Sequence, residues 1–375
     1  MPDRRTNVGG WSLAVALGLL ALAFLRLVPP ENRDRTTRET DGDVGPSDED
    51  EGRGRLATAP SDIPAKGWMD ILLRVYAGIG EHRIMALAAG MTYYSILAIF
   101  PALAALVAIY GLFSDPGSIA RHLDQLAGLV PGGAIDVARE QLTRVASKGS
   151  RTLGWTFVIG LAVSLWSANA AMKALFDTLN IVYGEQEKRG LIKLNVISLA
   201  FTLAGIAFVL LTLSGVVIVP VVLDYLGRSG FADLLVRFAR WPAMFLILAL
   251  ALACIYRFGP SREAPRWRWI TWGSATATIL WIAASLVFSW YAANFGTFNK
   301  TYGSLGAAIG LMTWLWISAI VILLGAEIDA ELEHQTARDT TTGTARPMGQ
   351  RGARMADTIG APKGGCDDTA LGHRF

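Results

Sequence analysis

The sequence predicts an all-α fold, a polytopic membrane helix bundle with six core transmembrane helices plus an N-terminal candidate for a seventh. Three observations carry this expectation. The chain is 52% hydrophobic and only 17% charged, against about 25% charged residues in soluble domains. Its charges crowd into tails and short connectors. Between them lie six uncharged runs that reach or approach the roughly 20 residues a helix needs to cross a hydrocarbon core. A net charge of +3 over 375 residues is too small to imply a nucleic-acid partner.

Residues 1–30 hold the first candidate, Trp11–Val28, "WSLAVALGLLALAFLRLV". Arg4 and Arg5 precede it, as in a signal peptide, but it runs into "RLVPP" with no small-x-small cleavage site. An uncleaved membrane anchor is the favoured reading; a signal peptide and an upstream extension from a misassigned start are its rivals. Residues 31–66 are rich in Asp, Glu, Arg, Thr, Gly and Pro. Such a stretch buries too little apolar surface to offset its ordering entropy, so a disordered acidic linker is expected.

The membrane domain is expected over 67–335. Its spans are Ile84–Ser114, Thr152–Met172, Leu194–Leu223, Trp241–Tyr256, Trp269–Asn299 and Thr301–Ala326. The fourth is short and borrows length from Arg240 and Arg257, whose stems can snorkel. The first, third and fifth exceed a straight crossing and must tilt, kink or protrude. Within 114–150, Asp115-Pro116 starts a helix whose apolar residues Ile119, Leu123, Leu126 and Val130 recur at helical spacing. Pro131-Gly132-Gly133 breaks it before a second amphipathic run, giving an outer hairpin that serves as a cap or a docking surface. Residues 336–375 are expected to be a disordered cytoplasmic tail. Lys and Arg favour the side that holds Lys188, Arg189, Arg262 and Arg266. This places both ends of the core in the cytoplasm.

Polar residues at membrane depth normally face the bundle interior or a wet cavity. In "AAGMTYYSILAIFPAL", Thr92 and Ser95 can bond back to carbonyls of the preceding turn, and Pro101 should bend the helix. Tyr93 and Tyr94 either pack or present hydroxyls to a cavity. In the second span Asn169, Lys173, Asp177 and Asn180 share a helical face, with Lys173 and Asp177 spaced for an ion pair. The stripe serves as a pathway or as helix–helix glue. The last stretch opens with Asn299, Lys300, Tyr302 and Gly303. Gly303, Gly306 and Gly310 with Ala307 form a small-residue ridge for close helix contact, including a Gly306-xxx-Gly310 pair. Glu327 and Asp329 emerge where that span ends, either as interface residues or as a carboxylate pair for a proton or cation. The two cysteines, Cys254 and Cys366, are not expected to pair, and the four histidines show no metal-ligand spacing. No phosphate-cradling P-loop appears.

Three pieces, "AAGMTYYSILAIFPALAALVAIYGLF", "LWSANAAMKALFDTLNIVYGEQEKRG" and "YGSLGAAIGLMTWLWISAIVILLGAEIDAELE", together resemble the YihY/BrkB family of bacterial inner-membrane proteins. The resemblance implies a six-helix integral membrane protein with cytoplasmic ends. It brings two labels, a ribonuclease acting on tRNA precursors and a serum-resistance virulence factor, and no catalytic residues to carry over.

The expectation is a non-enzymatic inner-membrane protein, without cofactor or metal, that transports or exports a lipid-like or envelope-related substrate. Membrane lipids would be its partners, together with a second copy of the chain or an envelope protein. The competing class is a membrane scaffold or envelope-integrity factor acting through partners. A tRNA-processing ribonuclease is the remote alternative, because metal-dependent hydrolysis needs clustered His or carboxylate ligands.

Overall fold

The computed structural model describes residues 52–113, 153–225, 230–295 and 304–362. The anchor, the linker up to residue 51, the 114–150 hairpin, and Asn299, Lys300, Tyr302 and Gly303 lie outside the described residues. A single 3-10 turn (Pro60–Asp62) leads into α1 (Ala65–Glu81) and α2 (Ile84–Phe113). Then come α3 (Leu153–Val182), α4 (Leu191–Tyr225), α5 (Gly230–Phe258), α6 (Trp267–Phe295), α7 (Ser304–Gln335) and the one-turn α8 (Arg354–Asp357).

Over the described residues all six expected spans are helical. By length and apolarity over the described residues, Leu191–Phe208, Trp267–Ala292 and Ala308–Gln335 each suffice to cross a membrane. Ile84–Ala98 and Pro242–Phe258 are shorter apolar stretches of α2 and α5. The flanks expose Val196, Leu203 and Ile206 on α4 and Leu286, Val287 and Trp290 on α6. Water would penalise such a surface; lipid does not.

The main core joins α2, α3, α5, α6 and α7 through Ile84, Ala88, Leu179, Tyr256, Ile270 and Leu323, among others. The helix ends have local causes. Gly184 (φ 64°) closes α3 with a Schellman motif: its N–H reaches the Ile181 carbonyl at 3.0 Å, and the Glu185 N–H reaches the Asn180 carbonyl at 2.7 Å. Arg83 (φ 51°) makes the tight turn from α1 into α2. The expected back-bonds form: Thr92 Oγ1 donates to the Ala88 carbonyl and Ser95 Oγ to that of Met91, both at 2.8 Å. Pro101 sits inside a helix that continues to Phe113.

Two expectations need correction. The linker and tail were expected to be disordered up to residue 66 and from residue 336, yet 52–64 and 336–362 fold into a collar around the end of α7. Ala337 N–H bonds the Arg55 carbonyl at 2.7 Å, and Arg266 N–H bonds the Thr340 carbonyl at 2.9 Å. Arg351, only 5% exposed, donates to the carbonyls of Ala337 (2.7 Å), Ala356 (2.6 Å) and Arg346 (3.1 Å). Hydrogen bonds and cover from the helix end supply the order that apolar content could not. The small-residue ridge also needs correction at Gly310. Gly306 is buried, but Gly310 faces open space. The close approach is between α6 and α7 at Gly273 and Gly325. There a methyl group on Gly325 would stand 2.5 Å from Ala277 Cβ and 2.6 Å from the Tyr256 hydroxyl.

Candidate functional site

The end of α7 reads "AEIDAELEHQ". A spacing of four puts Glu327, Glu331 and Gln335 on one face and Asp329 and Glu333 on another. All five are buried. Burying that many polar ends is costly unless each is answered by a partner.

The first face meets α1. Glu327 Oε2 lies 3.1 Å from His82 Nδ1, and the absence of a side chain at Gly78 leaves room for the Glu327 carboxylate. Arg74 donates through Nε to Glu331 Oε2 at 2.5 Å and through Nη2 to Gln335 Oε1 at 2.7 Å. Gln335 Nε2 then reaches the Arg53 carbonyl at 2.8 Å, which ties α7 to the collar. Beside them Asp70 accepts from Arg53 Nη1 at 2.8 Å.

The second face meets α6 and the α5–α6 turn. Asp329 Oδ1 accepts the Gly273 N–H at 2.7 Å. Glu333 takes both Nη groups of Arg262 at 2.9 Å and the Thr340 hydroxyl at 3.1 Å. The Arg262 and Glu333 side chains are 1% and 0% exposed. Arg262 also lies 4.0 Å over the Tyr183 ring. Burial, the largest single effect, pulls the Arg262 pKa down, but the Glu333 charge and hydrogen bond, with Tyr183 and Glu185, together outweigh it and the net shift is upward. Removing one member of such a pair leaves a buried charge unanswered and costs about 3–5 kcal/mol.

The neighbouring α3–α4 turn is fastened to the same end. Arg189 forks onto Glu187 with two 2.7 Å bonds and reaches the Gly259 carbonyl at 2.8 Å. Its hydrogen bond pulls the Glu187 pKa down to about 2. Asn180 accepts the Ser261 N–H at 2.7 Å and donates to Glu187 at 3.2 Å.

The residues named from sequence therefore divide. Glu327, Asp329 and Asn180 belong to this hub, but Glu327 and Asp329 face different partners and do not act as a pair. Lys173 donates to Asn195 Oδ1 of α4, not to Asp177, which is exposed. Asn169 is buried at 9% exposure, and its Oδ1 has no partner among the described residues. Tyr93 and Tyr94 lie edge to face, 5.7 Å apart, and are 61% and 44% exposed on the bundle flank. Arg74, His82, Tyr183, Arg262, Glu331 and Glu333 were not foreseen. The period-four acids of α7 and the Asp70–Arg74 spacing in α1 were the available signals. Among the described residues no group of three or more His, Cys, Asp or Glu is placed to hold a metal ion.

A family model described as Virulence factor BrkB matches residues 75–349. The chain belongs to this family. The BrkB match runs from within α1 to residue 349; it takes in His82, Arg262 and the α7 acids of the hub, while Arg53, Asp70 and Arg74 lie ahead of it. Among curated relatives, a ribonuclease-like protein, YfkH of Bacillus subtilis, is 29% identical over 70% of this chain and 95% of its own length. A UPF0761 membrane protein of Methylibium petroleiphilum is 26% identical over 74% of this chain, and one of Alkalilimnicola ehrlichii is 29% identical over 78%. The chain spans only 66% of the length of each of those two. No solved structure matches. With apolar helices of spanning length, this BrkB chain is an integral membrane protein.

Proposed function

We propose that the protein resides in the bacterial inner membrane, with both ends of its core in the cytoplasm, and moves a lipid-like envelope substrate. The observation that carries this reading is Asn169. A buried carboxamide oxygen without a partner is unfavourable in any apolar surrounding, and polar groups within membrane helices face the bundle interior or a wet cavity. Three residues before it, Trp166 is 76% exposed on the flank, and four residues after it Lys173 is anchored by Asn195. Lys173 Nζ also lies 6.0 Å from the centre of the Trp166 ring. The strip thus runs from a lipid-facing aromatic to a buried acceptor beside a fixed cation. It suits an amphiphile that enters sideways from the bilayer, its anionic group toward the Lys173 ammonium and a hydroxyl or N–H of its head donating to the Asn169 oxygen. The ribonuclease-like name of the Bacillus relative is not carried over, because the hub carboxylates Glu327, Asp329, Glu331 and Glu333 are each engaged by protein partners.

The test is reconstitution of the full chain into vesicles holding a fluorescent anionic phospholipid, with transfer between leaflets as the readout. Asn169→Leu combined with Lys173→Met should reduce transfer to that of protein-free vesicles without lowering the thermal midpoint. Wild-type transfer in the double variant, or none in the parent chain, would remove the basis of the reading.

A further inference from the structure

Helix α1 carries apolar residues on both of its sides: Ile71 and Val75 are buried against Trp269 and Leu332, and a second apolar set faces outward. Beside Ile71 and Val75 its inward face also buries Asp70 and Arg74, 1% and 6% exposed and paired with Arg53 and Glu331. Its outward face carries Met69, Leu72, Leu73 and Tyr76, which are 58%, 53%, 39% and 78% exposed. These four recur at i, i+3, i+4 and i+7, a continuous apolar stripe along one side of the helix. A water-facing helix places its charges outward and its apolar stripe inward. Here Asp70 and Arg74 are turned inward to the hub, and the outward stripe of Met69, Leu72, Leu73 and Tyr76 is left uncovered.

We infer that this stripe lies in the membrane interface, its apolar side chains among the outer parts of the acyl chains and the Tyr76 hydroxyl at headgroup level. Three features favour lipid as the occupant. First, α1 ends at Glu81 and the apolar stretch of α2 starts at Ile84, so α1 is held within a turn of the membrane boundary. Second, the exposed apolar surface continues past the turn onto Met85, 58% exposed on α2. Third, Lys66 and Arg83 stand exposed at the two ends of α1, where cationic side chains meet lipid phosphates in helices that lie in the interface. A second copy of the chain fits less well. Four side chains offer roughly a few hundred Å² per partner, against about 800 Å² per partner in a stable interface. The inference rests on the membrane assignment and not on the transport reading.

The test uses the full chain with Cys254→Ser and Cys366→Ser, reconstituted in vesicles of phosphatidylcholine and phosphatidylglycerol. An environment-sensitive fluorophore is attached at Tyr76→Cys, at Leu72→Cys as a second reporter, and at Thr344→Cys, an exposed collar position, as the aqueous reference. Labels at 76 and 72 should emit further to the blue than the label at 344. Lipids with a doxyl group near the headgroup end of the acyl chain should quench them several-fold more strongly, and aqueous iodide should quench them several-fold less. Iodide quenching at 76 and 72 equal to that at 344 would overturn the proposal. Oxidised dimers through Tyr76→Cys at high lipid dilution, with no doxyl quenching, would overturn it in favour of a second copy.

Discussion

His82 shows how the hub makes single residues conditional. Its hydrogen bond to Glu327 raises its pKa above the ordinary 6.5, against the opposing effect of burial, and the charges of Glu327, Glu81 and Glu331 add to the rise. In the window above 6.5 the folded chain holds a proton that the unfolded chain has released. Stability therefore falls as pH rises. The contribution is complete below the unfolded value and disappears as pH passes the raised folded one. The thermal midpoint in detergent should decline across this range in the wild type, and His82→Gln should lack that component. Parallel profiles for the two proteins would mean that another group sets the slope. The sequence marked Glu327 as unusual but gave no hint of its partner. His82 lies 245 positions away, as Arg74 lies 257 from Glu331, and spacing arguments reach only within one helix. Asn169 and Lys173 were legible for the opposite reason, since both sit on the face of one helix.

Among the elements, the helices themselves were the most legible feature, because uncharged length in a membrane leaves the backbone few alternatives to a helix. Their mutual contacts were less so. Gly306 and Gly310 looked like the close-packing ridge, yet the backbones of α6 and α7 meet at Gly273 and Gly325. Helix-interior glycines look alike in sequence whether they face a neighbour or open space; only the rotation of the helix distinguishes them. Gly325→Ala should therefore destabilise by about 1–3 kcal/mol through overpacking against Ala277 and Tyr256. Gly310→Ala should be neutral or stabilise by up to about 1 kcal/mol, since its Cβ enters open space and alanine is the better helix former. Detergent unfolding of the two variants side by side checks both signs.

Across the whole molecule, the charged collar binds the two ends of the core. Residues 52–64 and 336–362 read as unstructured because composition registers apolar content and not the hydrogen bonds a helix end can offer. Arg351 holds much of the C-terminal half together by donating to several carbonyls with one planar group. Arg351→Ala should leave those acceptors unanswered, weaken the segment by about 2 kcal/mol or more, and speed proteolytic clipping within 337–357 while the helical signal stays unchanged. Arg351→Lys should rescue poorly, because a single ammonium cannot reproduce the fork. The collar also dictates a sequence of events during synthesis. Arg74 and Arg262 leave the ribosome well before the acids that neutralise them, and those acids are themselves sealed only by residues translated after the final crossing. A nascent chain thus carries two cations awaiting their counterparts until the end of α7 emerges, and the pairs stay unsealed until the closing segment arrives. A product cut short by a premature stop ahead of that segment keeps its crossings but never fastens the latch, which gives cellular quality control a physical mark by which to separate it from the finished protein.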